Sequence, residues 1–498
     1  MRQRGSGVLL HLSCLPSPYG IGDVGPAAGR FVDFLQSTGQ KYWQILPLTI
    51  TDPAHDNNPY HSISAFANNP LFISPELMAE DGLIDAADCA DPPAFPASRV
   101  DFSTVIPYKE KLFSRACDRF SHGGDRQEYD RFCSRNAGWL DDFALFSAIR
   151  SDRPDRAWNQ WPDELRDRDP AALAAERERL HEAYERACFL QFVFFTQWER
   201  LKLRCRDAKI TLVGDIPIYV DHDSADVWKH PEYFKLDSAG NPTVVSGVPP
   251  DYFSATGQLW NTPVYQWDAQ KSDNFSWWIQ RLGHTLSLLD IVRIDHFRGL
   301  VACWEVPAGS ASAACGRWVP VPADELLITF TRAFPRLPVF AEDLGTITPD
   351  VREVMQKFEI RGMKVLLFAF EDGFPDTPYL PHNVIPDCYL YTGTHDNNPV
   401  RGWIEEEATA DHRARMRQYF GRDILPDEAS QVFIRLAMST VADTVIIPLQ
   451  DLLGLGAASR MNRPGTCQGN WQWRFTDAQL TTEIRDTLRS MTAVYARD

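Results

Sequence analysis

The stretch DIVRIDHFRG, residues 290–299, combines the pattern of a buried strand with several charged side chains. Its aliphatic residues suit a strand that is covered on both faces, yet Arg293, Asp295 and His296 lie among them. A buried charge costs free energy unless it is paired or used. Because residues two apart on a strand share a face, Arg293 should lie beside Asp295 and favour its charged form. The stretch therefore predicts a buried strand that ends in a functional group of charges.

Seven further runs of this kind occur along the chain: GVLLHL (7–12), YWQILPL (42–48), ITLVGDIPI (210–218), LPVFAEDL (337–344), GMKVLLFAF (362–370), CYLYTGTH (388–395) and TVIIPLQD (444–451). Several stay apolar until their last two or three residues, as strands buried in a parallel sheet do. Helix-like stretches lie between them at 25–40, 273–289 and 348–360, the last with Thr348 as N-cap and Pro349 at the first helical position. This alternation predicts an α/β fold of the (β/α)8 TIM-barrel class.

Two connections are too long for simple crossovers between strands. Residues 50–208 are rich in helix formers and predict a helical insertion subdomain, whereas residues 219–272 are dense in Pro, Gly and aromatic residues. We expect the second segment to form a loop-rich insertion over the mouth of the barrel. Residues 1–498 are thus interpreted as one catalytic barrel with large, mainly helical insertions. A dinucleotide-binding fold has no support, because no G-x-G-x-x-G motif follows any of the predicted strands.

The composition narrows the possible partners. The chain has 498 residues, 44% of them hydrophobic, and a formal net charge of −17. This charge argues against nucleic acid and anionic membranes and favours a neutral substrate. Ten dispersed cysteines without zinc-ligand spacing indicate a reducing compartment. Because no signal segment or membrane-spanning run is evident, we expect a cytoplasmic protein.

Active sites of such barrels lie at the carboxyl ends of the strands. The polar residues expected there are Asp215, Arg293, Asp295, His296, Glu342, Asp343, His395, Asp396, Gln450 and Asp451. Converging carboxylates suit either a metal site or acid–base chemistry on a neutral substrate. The metal alternative is disfavoured because adjacent Asp295 and His296 point to opposite faces of a strand, and Arg293 would repel a cation. No metal and no cofactor are predicted.

Glycoside chemistry needs one ionised carboxylate as nucleophile and one protonated carboxyl group as acid, about 5 Å apart in retaining enzymes. Asp295 beside Arg293 suits the first role. Glu342 ends an apolar run, where partial burial would raise its pKa, and suits the second. Neighbouring strands lie about 4.8 Å apart, so this separation can be reached. Taken alone, either carboxylate could instead belong to a structural ion pair.

Sugar sites also need flat apolar surfaces and groups that bind hydroxyls. Aromatic residues in the long connections could line the mouth of the barrel, although each could equally belong to the core: Tyr60, Tyr252, Phe253, Trp260, Tyr265 and Trp267. Amide side chains that would suit hydroxyls, or simply turns, are Asn57, Asn58, Gln258, Asn397, Asn398 and Asn470.

Three motifs in this order, RIDHFRG, FAEDLG and YTGTHDN, resemble the hallmarks of the amylomaltases, the 4-α-glucanotransferases or disproportionating enzymes of the α-amylase-like clan. Further similar stretches include LLHLSCLPSPYGIGD, NNPYHSISAFANNPLFISPE, VGDIPIYV, GVPPDYFSATGQLW, PLQDLLGLG, RMNRPGT and GNWQWR. The resemblance extends from about residue 5 to about residue 490. It implies transfer of α-1,4-glucan segments between maltooligosaccharides.

The resemblance also implies the roles of individual residues. Asp295 would form the covalent glucosyl-enzyme, Glu342 would act as acid and then base, and Asp396 would bind ring hydroxyls of the distorted sugar. The residues around the cleaved sugar would be Asp215, Arg293, His296 and His395. Tyr60 and Trp260 resemble the donor and acceptor aromatics, and Asn470 lies in the GNW motif.

The chain departs from the family pattern at a few positions near these motifs. Asn398 replaces a usual Asp, Trp260-Asn261-Thr262 replaces Trp-Gly-Asn, and Asn58 and His61 stand where Ser and Gln are common. Because the three carboxylates are unchanged, these differences bear on acceptor preference and chain length. A hydrolase with the same residues and a non-catalytic glucan-binding protein are the alternative functions. The oligomeric state has no signature in the sequence.

Overall fold

The structure, a computed structural model, describes residues 4–123, 126–250 and 256–498. The strands in this part of the chain are β1 (Gly5–Leu9), β2 (Tyr42–Gln44), β3 (Thr211–Ile216), β4 (Val244–Val248), β5 (Gln258–Pro263), β6 (Ile291–Ile294), β7 (Ala302–Pro307), β8 (Arg317–Pro320), β9 (Val339–Ala341), β10 (Gly362–Val365), β11 (Cys388–Tyr391) and β12 (Thr444–Pro448).

Eight of these strands form one parallel sheet in the order β10-β11-β12-β1-β2-β3-β6-β9. A parallel bridge between Phe340 and Arg361 joins the two edge strands, and the Ala341 N–H donates to the Arg361 carbonyl at 2.8 Å. Each of the eight predicted runs contains or overlaps one barrel strand, which confirms the (β/α)8 prediction. The apolar strand residues are buried because the barrel interior covers one face and the surrounding helices cover the other.

The helices are α1 (Pro26–Ser37), α2 (Pro75–Glu80), α3 (Ala86–Cys89), α4 (Phe102–Gly123), α5 (Arg126–Asp152), α6 (Asp163–Arg166), α7 (Pro170–Arg179), α8 (His181–Asp207), α9 (Ala225–Lys229), α10 (Trp267–Ser272), α11 (Ser276–Leu288), α12 (Ala323–Ala333), α13 (Pro349–Lys357), α14 (Val400–Gly402), α15 (Ala410–Phe420), α16 (Pro426–Ser439), α17 (Leu449–Leu452) and α18 (Thr482–Val494). As predicted, α13 begins with Pro349 after Thr348 at the N-cap. Among the helices described, none has the length and apolar character that a membrane span requires.

Helices α2–α8 lie between β2 and β3, within the segment predicted to be a helical insertion. The C-terminal half of α8 also packs on the barrel, where the Trp198 indole N–H donates to the Leu288 carbonyl at 3.1 Å. The amide of Gln191 pairs with both backbone groups of Asn68 at 2.8 Å. These bonds satisfy the polar backbone of the connection after β2 inside an apolar region. The division of residues 50–208 into a separate subdomain stays a prediction.

A second, antiparallel sheet with the order β5-β4-β7-β8 was not predicted. Strands β4 and β5 lie inside the segment interpreted as loop-rich, so that interpretation was incomplete. Their sequences, VVSGV and QLWNTP, contain Gly, Pro and Asn and lack regular alternation. The central strand β4 pairs with β7, which lies about 60 residues further along the chain. Such a distant partner leaves no local signal, because pairing across the sheet stabilises these strands more than propensity does.

Candidate active site

The carboxyl ends of β3, β6, β9 and β11 bring most of the predicted residues together. In the β3–β6 pair, Asp215 lies opposite Arg293. In the β6–β9 pair, Ile294 lies opposite Ala341, so the residues that follow them, Asp295 and Glu342, leave neighbouring strands at the same level. Since neighbouring strands are about 4.8 Å apart, this register suits the short carboxyl–carboxyl separation of retaining enzymes.

Arg293 is the centre of a chain of polar contacts. Its Nη1 donates to Asp215 Oδ2 at 2.6 Å and lies 2.8 Å from Asp295 Oδ1. The Tyr60 hydroxyl donates to Asp215 Oδ2 at 2.8 Å. The Asp215 side chain is fully covered, whereas 27% of the Asp295 side chain is exposed. Of the two carboxylates that share the guanidinium, only Asp295 is therefore open to a substrate.

Burial is the largest influence on the pKa of two carboxyl groups in this cluster, those of Glu342 and Asp215. It raises the pKa of Glu342 to about 7, although the positive charge of Arg293 opposes the shift. It likewise raises the pKa of Asp215 to about 7, against the charge of Arg293 and the hydrogen bond from Tyr60. The predicted effect of burial on Glu342 is therefore confirmed. A carboxyl group with this pKa can give up a proton and take it back near neutral pH.

Glu342 is held by the backbone at both carboxyl oxygens. The His296 N–H donates to Oε2 and the Leu344 N–H donates to Oε1, each at 2.8 Å. The first bond links the end of β6 to the end of β9, so it fixes Glu342 beside the residue that follows Asp295. The two N–H donors also stabilise the ionised form of the group.

The strand carrying Arg293 ends at Ile294, and His296 has a left-handed backbone with φ of 47°. This turn breaks the strict alternation of faces that would have pointed His296 away from Asp295. The His296 ring lies 4.8 Å from the Trp260 ring, edge to face. Burial lowers the pKa of His296 to about 4, so the imidazole is neutral at pH 7. The expectation that His296 points away from Asp295 therefore holds only while the strand continues, and the strand ends before His296.

The turn after β11 contributes His395 and Asp396. The His395 ring stacks on Tyr60 at 5.3 Å between centroids, and its Nε2 is 2.9 Å from the Tyr60 hydroxyl. Asn462 Nδ2 donates to Asp396 Oδ1 at 2.7 Å, and Arg460 Nη2 donates to the Asp396 carbonyl at 2.7 Å. The second carboxylate oxygen of Asp396 lies 3.4 Å from His395 Nε2.

Three residues of this region were not predicted individually: Arg460, Asn462 and Trp471. The Trp471 ring lies 5.9 Å from Tyr60 and 6.0 Å from His395. Asn462 is 66 positions from its partner Asp396, so no local spacing indicates the contact. The only available signal was that RMNRPGT and GNWQWR both belong to the family resemblance.

Several residues that the sequence predicts for the site are not part of the Arg293 cluster. Tyr252, with Phe253, lies outside the described residues. The side chain of Asn470 accepts a bond from the Arg463 N–H at 2.9 Å and donates to the Thr466 carbonyl at 3.2 Å. Its amide therefore stabilises its own loop. Two aromatic side chains considered for the mouth, Tyr265 and Trp267, are buried in the core.

Two of the carboxylates predicted at the strand ends, Asp343 and Asp451, accept hydrogen bonds that hold the barrel together. Asp343 accepts from the Met363 N–H at 2.6 Å, across the junction of β9 and β10. Asp451 accepts from the Thr392 hydroxyl at 2.6 Å and the Val400 N–H at 2.7 Å. These groups brace the ends of the strands, because each pairs with backbone or hydroxyl donors that would otherwise be buried without a partner.

A closed parallel barrel with an ion-paired aspartate and a partly buried glutamate at adjoining strand ends has the architecture of a retaining glycoside-active enzyme. Residues 10–481 match the 4-alpha-glucanotransferase family. The 4-alpha-glucanotransferase of Aquifex aeolicus is 42% identical over 493 residues, which are 99% of each chain. That of Thermus thermophilus is 42% identical over 497 residues, or 98% of each. The chain therefore belongs to the 4-α-glucanotransferase family, which confirms both the resemblance and the predicted enzyme class.

Solved structures agree with this assignment. The amylomaltase of Streptococcus agalactiae, solved in complex with acarbose, is 37% identical and superposes with a TM-score of 0.95 over 99% of this chain and 100% of its own. The amylomaltase of Corynebacterium glutamicum, at 19% identity, covers 99% of this chain and 75% of its own with a TM-score of 0.77, and so supports the fold alone.

Proposed function

We propose that the enzyme transfers α-1,4-glucan segments between maltooligosaccharides by a retaining double displacement at Asp295, with Glu342 as acid and base. The observation that carries this proposal is the contrast between the two carboxyl groups. Asp295 is partly exposed and ion-paired with Arg293, whereas burial raises the pKa of Glu342 to about 7. One group is thus suited to attack as an anion and the other to donate a proton.

In the first step the Asp295 carboxylate attacks the anomeric carbon of the donor. The bond to the leaving 4-oxygen breaks with its electron pair on that oxygen, which takes the Glu342 proton. In the second step ionised Glu342 removes the proton from the 4-hydroxyl of an acceptor glucan, whose oxygen displaces Asp295. The His296 and Leu344 N–H groups stabilise Glu342 during its charged half of the cycle.

The remaining site residues would position the sugars. Asp396 is held by Asn462 through one oxygen, and we infer that it binds ring hydroxyls of the distorted sugar. Tyr60 and Trp260 offer ring faces on the donor and acceptor sides, with Tyr60 fixed by its bond to Asp215. Neutral His296 and His395 can donate or accept hydrogen bonds to hydroxyls. All ten cysteines are free thiols, which supports a reducing compartment such as the cytoplasm.

Incubation with maltotriose separates transfer from hydrolysis. We expect glucose and oligosaccharides longer than maltotriose, while the total concentration of reducing ends stays nearly constant, because each cleaved bond is replaced by a new one. Product chromatography together with a reducing-end assay provides both quantities. A steady rise in reducing ends would identify a hydrolase, and unchanged maltotriose would favour a non-catalytic binding protein.

The pH dependence of transfer should depend on the proton of Glu342. Because the free enzyme needs this carboxyl group protonated and its pKa is about 7, kcat/KM for maltotriose should fall above pH 7, by about tenfold per pH unit once the group is mostly ionised. An α-maltosyl fluoride donor is the control, since fluoride leaves without a proton. A value of kcat/KM for maltotriose that stays level to pH 9, or the same decline with the fluoride, would contradict the assignment.

A further inference from the structure

A group of metal-ligand side chains lies beside the proposed active site: His55, His61 and Asp221. One potential ligand atom from each residue lies within 4.8 Å of the others, and no other such group of three occurs among the described residues. The His55 and His61 rings are stacked with centroids 4.8 Å apart and planes 6° from parallel. His61 Nδ1 is 2.7 Å from Asp221 Oδ1. The proposed mechanism uses none of these side chains.

We propose that His55, His61 and Asp221 form a binding site for one divalent transition-metal ion of the Zn²⁺ class at the rim of the barrel mouth. Imidazole nitrogen and carboxylate oxygen are ligands that Zn²⁺ accepts, and three protein ligands leave one tetrahedral position for water. Ligand atoms around Zn²⁺ lie about 3.3 Å apart. To reach this spacing, His61 Nδ1 and Asp221 Oδ1 must separate slightly from 2.7 Å, while the other ligand atoms, all within 4.8 Å of one another, must adjust by side-chain rotation, which the exposed position of His55 allows.

The charges around the group also favour a cation. Arg150 Nη2 is 2.6 Å from Asp52 Oδ2 and its Nε is 2.7 Å from Asp223 Oδ2. Asp221 is paired with His61 instead, so the segments around the site carry three carboxylates and one guanidinium, and this part of the rim is negative. The Arg150 pairs hold the backbone on both sides of the proposed site, because Asp52 precedes His55 and Asp223 follows Asp221 by two residues. A bound ion would therefore meet ligands on an ordered backbone, and only their side chains would have to adjust.

An ion at this position would link two segments of the chain that border the proposed active site. Tyr60, which contacts Asp215 and His395, directly precedes His61, and Asp221 lies in the loop that follows β3. Coordination would tie the segment that carries Tyr60 to that loop. The sequence did not indicate the site, because His55 and His61 are about 160 residues from Asp221.

Equilibrium dialysis of the full chain with Zn²⁺, followed by metal analysis, tests this proposal. We expect one ion per chain, and at least about tenfold weaker binding in His61→Gln and in His55→Ala. Gln is close to His in size and keeps a hydrogen-bonding side chain without the imidazole ligand, so His61→Gln should fold. His230→Gln is the matched control, since His230 also lies 3.1 Å from a carboxylate, that of Glu232, while no third ligand completes a metal-binding group there in the part of the chain that the structure describes. Zn²⁺ binding by this variant should equal that of the wild type.

Two further measurements report on the same site. Co²⁺ should give the visible absorption of a four-coordinate complex in the wild type and not in His61→Gln. Zn²⁺ should raise the thermal unfolding midpoint of the wild type but not that of the variant, because an ion bound only to the native state stabilises it. The proposal is overturned if the wild type binds less than one ion per chain, or if His61→Gln and His55→Ala bind Zn²⁺ as tightly as the wild type does.

Discussion

Replacement of Glu342 by Gln should reduce kcat for maltotriose disproportionation by about 10²–10⁴-fold, or about 3–5 kcal/mol of transition-state stabilisation. Gln has nearly the same size, but its single carbonyl oxygen can accept from only one of the two backbone N–H groups, so its NH2 group must face the other donor. It cannot protonate a leaving glucan oxygen or remove a proton from an acceptor. Initial rates measured at saturating maltotriose give the change in kcat, and binding of maltooligosaccharides should survive.

A donor substrate whose leaving group needs no proton provides the most specific control for Glu342→Gln. With α-maltosyl fluoride, formation of the glycosyl-enzyme should stay fast in Glu342→Gln because fluoride leaves without protonation, whereas its transfer to an acceptor should stay slow. Intact-protein mass spectrometry should then detect a covalent adduct. Glu353→Gln, on the exposed face of α13, makes the same chemical change and should leave kcat unaltered. Near-normal maltotriose kinetics in Glu342→Gln would show that another group is the acid.

Replacement of Asp295 by Asn should lower the transfer rate by at least about 10³-fold, because the amide is a poor nucleophile. It should also leave Arg293 with one anionic partner instead of two, since that guanidinium contacts both Asp215 and Asp295. With α-maltosyl fluoride, the double variant Asp295→Asn/Glu342→Gln should give no covalent adduct in the mass spectrum. Glu342→Gln alone should give one.

The residue that directly precedes the same strand serves as the matched control. Asp290 lies at the opposite end of the strand segment, where its carboxylate accepts from the Leu212 N–H at 2.8 Å. Asp290→Asn makes the same change far from the mouth of the barrel and should preserve both turnover and adduct formation. If an adduct still forms when Asp295 is replaced, peptide mapping of the labelled residue would identify a different nucleophile.

The periodic parts of the fold could be predicted from sequence because their cause is local. A parallel barrel buries both faces of each strand, so every strand must carry a nearly continuous apolar run, and all eight runs are barrel strands in the structure. Charged residues at the ends of those runs then indicate the catalytic end of the barrel. Strand β4 had no such signal, because its stability depends on pairing with β5 on one side and with the distant β7 on the other.

The same distinction holds within the site. The sequence alone placed Arg293 two residues before Asp295 and Glu342 at the end of an apolar run, which is enough to predict an ion-paired carboxylate and a buried one. The family motifs indicated further site residues but did not predict which groups those residues contact. They did not show that the amide of Asn470 is used within its own loop, or that Asn462 holds Asp396.

By itself, then, the sequence determined the barrel class, the family and the pair of carboxyl groups, since these depend on short-range pattern and on motif. Only the tertiary structure decided which carboxylate is open to substrate, how Tyr60 joins the Arg293 cluster, and that His55 and His61 meet Asp221. Each of these depends on residues that are far apart in the chain. Their distances and burial, and therefore their charges, are set by packing that no local pattern contains.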